Sequence, residues 1–101
     1  MLELRPNCEL CDRDLPPEAV DARICSYECT FCAACVEQVL HDVCPNCGGG
    51  FVPRPLRPRH AWRERTGLEH DPPGARRRQA RPREEIEALT ERLRGVPPGE
   101  R

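Results

Sequence analysis

Eight cysteines, all within the first 47 residues, constrain the fold of this chain more than any other feature. They follow the spacing C-x2-C-x13-C-x3-C-x2-C-x2-C-x8-C-x2-C. Two residues between thiols allow one tight turn to direct both sulfurs to a tetrahedral ion, and zinc takes four such ligands at about 2.3 Å. Eight thiols fill two four-cysteine sites, so the sequence predicts two Zn²⁺ ions and leaves no cysteine over.

The first 52 residues contain too few large apolar side chains to form a sizeable core. Domains this small usually need metal ions or disulfides to fold. The N-terminus lacks the basic start and apolar run of a secretory signal, and no stretch reaches the roughly 20 apolar residues of a membrane span. We therefore expect a cytoplasmic protein without membrane attachment, whose reduced thiols bind metal rather than form disulfides.

Charge and composition divide the chain after this cysteine-rich part. Residues 1–52, the predicted two-zinc module, carry three arginines and nine acidic residues, whereas residues 53–101 carry thirteen arginines and eight acidic residues. Residues 53–83 combine six prolines with ten arginines and few apolar side chains. Because such a segment buries too little apolar surface to order itself, the sequence predicts a basic linker or tail there.

A short amphipathic helix is predicted at residues 84–95. Ile86, Leu89 and Leu93 recur at helical spacing, glutamates lie near the start, and arginines lie near the end. Gly95 follows as a stop signal. Residues 96–101 are expected to form a disordered end.

Two pairings of the cysteines are compatible with this spacing. The interleaved, or cross-brace, pairing places Cys8, Cys11, Cys32 and Cys35 at site 1 and Cys25, Cys29, Cys44 and Cys47 at site 2. The sequential pairing assigns the first four cysteines to one ion and the last four to the other. Apolar residues between Cys35 and Cys44 recur at helical spacing, which predicts a short helix in that interval. This helix, the proline inside the last cysteine pair and the short loops favour the interleaved pairing.

The order of these features resembles a RING finger with cysteine at every ligand position. The resemblance is carried by residues 31–36, by the short helix and by the closing Cys-Pro-Asn-Cys turn. It implies a small, metal-dominated α+β fold, a RING-like cross-brace zinc finger with one short central helix. RING ligases contact ubiquitin-conjugating enzymes through positions that match Leu10, Val39 and Leu40. Many also carry a basic residue after the last ligand, where this chain has Gly48.

A closer resemblance covers roughly residues 1–57. Residues 1–8, 22–32 and 44–49 are similar to the bacterial family catalogued as domain of unknown function 1272. This resemblance implies a bacterial zinc-binding module, and it implies no particular activity.

The predicted function is therefore a non-catalytic module for protein–protein interaction. If metal occupies all eight thiols, neither zinc keeps the open position that catalysis requires, and the sequence contains no evident catalytic or cofactor-binding set. One alternative is nucleic-acid binding through the tail, whose densest basic point is Arg76–Arg78. The acidic module should repel phosphates, which disfavours this alternative. A ubiquitin-ligase-like adaptor is the other alternative.

Overall fold

A three-stranded antiparallel sheet lies at the centre of the computed structural model, which describes all 101 residues. Strand β1 (Ala22–Ile24) is flanked by β2 (Thr30–Cys32) and by β3 (Val52–Pro53). Within the β1–β2 hairpin, Ala22 pairs with Cys32 and Ile24 pairs with Thr30. Because a sheet of two- and three-residue strands is not stable alone, the cysteine-bearing loops around it must hold it in place.

One short helix follows β2 directly, and we call it the central helix. It is α-helical over Ala33–Cys35 and π-helical over Val36–Leu40. It ends at His41 and Asp42, whose φ angles of 46° and 62° are left-handed and cannot continue a helix. The helix expected between Cys35 and Cys44 is thus present, and it begins slightly earlier in the chain.

The core lies between the sheet and the central helix, and it is built largely from thiols. Phe31 is fully buried and contacts Phe51 edge to face, with ring centroids 5.4 Å apart. Leu15, Val36 and Leu40 belong to its aliphatic part. Six of the eight cysteines are buried around these side chains. The chain therefore has the small, metal-dominated α+β fold that the sequence predicts.

The second helix, α2 (Arg83–Leu93), packs against the central helix. Its bounds lie within two residues of the expected 84–95. Ile86 and Thr90 are buried, and Leu89 and Leu93 are half-buried. The apolar stripe read from the sequence is therefore the face by which α2 docks.

The segment 53–83 differs from the expected unstructured tail, because it lies along the module. Arg54 is buried, and its guanidinium donates hydrogen bonds to three carbonyl oxygens, those of Arg5, Leu15 and Pro16. Further along, Gly74 donates its N–H to the Leu4 carbonyl. The physical reason is that a guanidinium offers five donors, so arginine orders this segment by binding loop carbonyls without needing apolar burial.

The C-terminal residues also differ from the expected disordered end. A 3₁₀ turn forms over Pro98–Glu100. The Arg101 side chain then donates hydrogen bonds to the carbonyls of Asp42 and Gly48, at 2.8 and 3.0 Å. These bonds tie the chain end to the loop that carries the last cysteine pair. None of the helices combines the length and apolarity needed to cross a membrane.

Candidate metal centre

The first cluster gathers the sulfurs of two cysteine pairs that are separated by 20 residues of chain. Its members are Cys8, Cys11, Cys32 and Cys35, and their Sγ atoms all lie within 4.8 Å of one another. The Sγ atoms of Cys11 and Cys32 are 3.8 Å apart. Four sulfurs at about 2.3 Å from a tetrahedral zinc lie about 3.8 Å from each other. The first cluster therefore has the dimensions of a four-cysteine zinc site.

The second cluster joins the remaining cysteines on the other side of the fold. The Sγ atoms of Cys25, Cys44 and Cys47 lie within 4.8 Å of one another. The thiols of Cys44 and Cys25 both lower the pKa of Cys29, so Cys29 is near this group, but its sulfur is not within that distance of every member. The grouping is interleaved, as in a cross-brace, and the sequential pairing is not adopted. The assignment of Cys29 to the second ion stays a prediction.

The first and last cysteine pairs are held by turns of the same conformation. The N–H of Asp12 binds the Cys8 carbonyl at 2.9 Å, and the N–H of Gly48 binds the Cys44 carbonyl at 2.8 Å. Asp12 and Gly48, each directly after its pair, have left-handed φ angles of 66° and 78°. The C-x-x-C spacing thus produces one recurring turn that directs two sulfurs inward, one turn in each cluster.

Backbone N–H groups also point at the sulfurs. The N–H of Tyr27 lies 3.3 Å from the Cys25 sulfur, and the N–H of Gly49 lies 3.4 Å from the Cys47 sulfur. Such donors stabilise negative charge on a thiolate and fix its orientation towards a metal. The second cluster is therefore prepared for thiolates rather than for neutral thiols.

The thiols of the second cluster have unequal pKa values because they interact with one another and differ in burial. The hydrogen bond from Cys44 lowers the pKa of Cys29 to about 5, and the Asn46 side chain contributes in the same direction. The same bond, followed by burial, raises the pKa of Cys44. Burial raises the pKa of Cys25 to about 11. Cys29 therefore ionises more readily than Cys25 and Cys44, and zinc binding would displace the protons of those two thiols.

The thiols of the first cluster also have unequal pKa values. Burial raises the pKa of Cys8, and burial followed by the nearby charge of Cys8 raises the pKa of Cys35. Burial also acts on Cys11, but hydrogen bonds from the Arg13 backbone and from neighbouring thiols outweigh it and lower the Cys11 pKa. Four crowded sulfurs cannot all be ionised without a cation between them. The donor set, four soft sulfurs at tetrahedral spacing, suits zinc.

A buried carboxylate joins the first and last cysteine turns, and sequence reasoning did not find it. The Glu9 side chain is 7% exposed and lies 3.2 Å from the Arg5 guanidinium. It also accepts hydrogen bonds from the Asn46 side chain at 3.2 Å and from the Thr30 backbone at 3.3 Å. Glu9 lies inside the first C-x-x-C and Asn46 inside the last. The polar residues at these two interior positions were the sequence feature that could have indicated this hydrogen bond.

The segment 53–83 reaches the same network. Gln79 donates its backbone N–H to the Glu9 carbonyl at 2.8 Å and its side-chain amide to the Asn46 oxygen at 3.0 Å. Two hydrogen bonds likewise join Asn7 to the backbone of Arg77. These residues therefore lie across both cysteine turns and help to fix their relative position.

A known protein family matches the part of the chain that contains both cysteine clusters. The family described as "Protein of unknown function (DUF1272)" matches residues 1–57, more than half of the chain. The chain belongs to this family. The match includes both cysteine clusters, the sheet and the central helix, whereas α2 and the C-terminal turn lie outside it.

One curated relative is similar to a little more than half of the chain. The "Uncharacterized protein R02474" of Rhizobium meliloti (strain 1021) is 67% identical over 58 residues, which are 57% of this chain and 69% of the relative. No solved structure matches the chain.

Proposed function

We propose that this protein is a non-catalytic, RING-like zinc module that binds another protein in a reducing compartment such as the cytoplasm. The observation that carries the proposal is the gathering of seven of the eight cysteines into two clusters, of four and of three. A zinc ion held by four thiolates has no open position for water or substrate. The metal then serves the fold, and function falls to the surface that the fold presents.

Exposed apolar side chains on the module favour a protein as the partner. Val20 is 81% exposed, Tyr27 is 74% exposed and Val52 is 60% exposed. Aromatic residues are typical anchors of protein interfaces, and apolar side chains around them exclude water. The exposure of Tyr27 therefore supports a role for this side chain in contact with a partner.

The arginines of segment 53–83 support a protein partner over a nucleic acid. Arg76 lies 2.9 Å from Asp12 and 2.7 Å from Asp14, and Arg78 lies 3.3 Å from Asp12. These exposed pairs are individually weak. Together, however, they place the densest basic point of the chain against the acidic module, and phosphate contacts would have to replace them.

A ubiquitin-ligase-like role is disfavoured by the turn after the last cysteine. Gly48 has a φ angle of 78°, and a Cβ at this position would lie 3.1 Å from the Leu93 side chain. A basic residue there would therefore have a strained backbone and would crowd Leu93 while α2 is docked. The position that matches the basic contact of ligases is used here for packing.

Affinity capture from the native bacterium tests the proposal. Zinc-loaded full-length protein should retain a protein that then binds saturably in purified form, and the Cys32→Ser variant should lose this binding because its first site lacks one ligand. Ser26→Ala, an exposed change near the second cluster, should bind as the unchanged protein does. Saturable binding of nucleic acid alone, or turnover of a small molecule, would overturn the proposal.

A further inference from the structure

Helix α2 occupies a groove whose floor belongs to the zinc module, and we call it the α2 groove. The floor is formed by Val39 on the central helix, by Pro45 and by the turn at Gly48. Ile86 is the main contact from α2, because it is 2% exposed and joins the buried core. The groove is therefore shaped to receive one face of an amphipathic helix.

The fit of α2 in this groove is imperfect at Thr90. The residue is only 5% exposed, yet its hydroxyl has no hydrogen-bond partner. Beside it lies an open surface cleft of about 240 Å³ whose lining, which includes Gln38 and His41, is polar except for Val39. A buried unpaired hydroxyl destabilises the contact, and the cleft adds little apolar packing to it. A helix with a better-matched residue at this position would bind the groove more tightly than α2 does.

The α2 groove lies within the part of the chain that the family model matches, whereas helix α2 lies outside it. All three floor residues lie within residues 1–57, which match the family, whereas α2 lies outside that match. The docking face thus lies in the part of the chain that matches the family, and the helix that covers it does not. In this chain α2 covers it from an attached segment, and attachment raises the effective concentration of a weakly fitting helix.

We propose that α2 is a replaceable occupant, and that the α2 groove binds an amphipathic helix of a partner protein. This inference rests on the proposed function, and it identifies the surface through which the protein would bind its partner. The partner helix carries branched aliphatic residues at the positions of Ile86 and Thr90 and leucine at the positions of Leu89 and Leu93. Its contact is of the helix-in-groove type, in which residues three and four positions apart supply the anchors.

A labelled peptide tests the groove without knowledge of the natural partner. The peptide has the sequence of residues 82–101 with Thr90→Val, and it is titrated with zinc-loaded full-length protein. In the Ile86→Asp protein the attached α2 should leave the groove, so the peptide should bind about ten-fold or more tightly than to the unchanged protein. Glu84→Ala is the control, because Glu84 is exposed on α2 and lines neither cleft beside the groove, and this variant should bind as the unchanged protein does.

Peptide affinity that is equal for the Ile86→Asp and unchanged proteins would overturn the inference, as would failure of the peptide to bind either. Zinc content and dispersed amide signals from residues 1–57 establish that Ile86→Asp keeps its fold. If that variant loses zinc, the Thr90→Val protein is tested in its place, because this change should strengthen the docking of α2 rather than weaken it. Its better-fitting α2 should slow amide exchange in residues 86–93 and weaken peptide binding, and unchanged exchange would contradict the inference.

The two proposals fail in different ways. In one outcome, a captured protein binds the Ile86→Asp variant no better than the unchanged protein, and the peptide binds neither. This outcome would exclude the α2 groove as the binding surface, and the interaction with a partner would then use another surface. Peptide binding without any specific captured protein would instead count against the proposed function.

Discussion

The Sγ atoms of Cys11 and Cys32 lie 3.8 Å apart, although 21 positions separate the two residues in sequence. This is the sulfur–sulfur separation across one edge of a four-thiolate zinc site, about 3.8 Å. The first cysteine pair therefore meets the third pair rather than the second. The resulting interleaved arrangement locks the β1–β2 hairpin between two metal centres.

The Cys32→Ser change should remove one of the two zinc ions. A serine hydroxyl is a poor replacement for a thiolate, and the loss leaves three ligands in the first cluster. Elemental analysis should give about one zinc per chain in place of two, with the second cluster still loaded. Retention of both ions with unchanged affinity would show that Cys32 is not a ligand.

Arg54→Met should lower the free energy of unfolding by about 1–3 kcal/mol, because buried carbonyl oxygens lose their hydrogen-bond donor. The guanidinium binds the carbonyls of Arg5, Leu15 and Pro16 from within the protein. Arg59→Met, at an exposed position, is the matched control and should have little effect. Denaturant titration of the zinc-loaded proteins measures both. Equal stabilities would show that Arg54 does not hold the segment to the module.

Gly48→Ala should be destabilising by about 1–2 kcal/mol, because alanine is strained at a left-handed φ angle. The new methyl group would also lie 3.1 Å from Leu93. Gly95→Ala is the control, since no atom lies within 4 Å of its added Cβ. Thermal unfolding of zinc-loaded protein compares the two. A neutral Gly48→Ala would mean that the turn and α2 adjust without cost.

The sequence was sufficient to predict the metal centre because thiol spacing is a local constraint. Cys-Glu-Leu-Cys and Cys-Pro-Asn-Cys each specify a turn, and eight such ligands leave few ways to satisfy two tetrahedral ions. Helix α2 was predictable for a similar reason, since Ile86, Leu89 and Leu93 form a stripe at one period. Both features are encoded within a few neighbouring residues.

The path of segment 53–83 was not predictable in the same way. Its arginines bind backbone carbonyls and carboxylates that lie far away in sequence, such as the Arg54 contact with Arg5 and the Arg76 contact with Asp14. The composition shows that the segment has few apolar residues. It does not show that the folded module will offer carbonyl oxygens to its arginines. The same holds for the Glu9–Asn46 hydrogen bond, which exists only after the two turns have met.

Chelation of zinc should affect residues 74–81 as well as the module. These residues form hydrogen bonds with Leu4, Asn7 and Glu9, all of which lie on the module. Since structural zinc supplies folding free energy in small domains, its removal should unfold the module and release the segment. Amide NMR should show both sets of signals collapsing together. Signals of residues 74–81 that stay unchanged would show that the segment does not depend on the module.

Cadmium-113 NMR of the metal-exchanged protein tests the central claim most directly, because cadmium is a thiophilic substitute for zinc whose couplings identify its cysteine ligands. The account predicts two cadmium signals. One should correlate with the β-protons of Cys8, Cys11, Cys32 and Cys35, and the other with those of Cys25, Cys29, Cys44 and Cys47. A single signal, or one signal shared by Cys8, Cys11, Cys25 and Cys29, would contradict it.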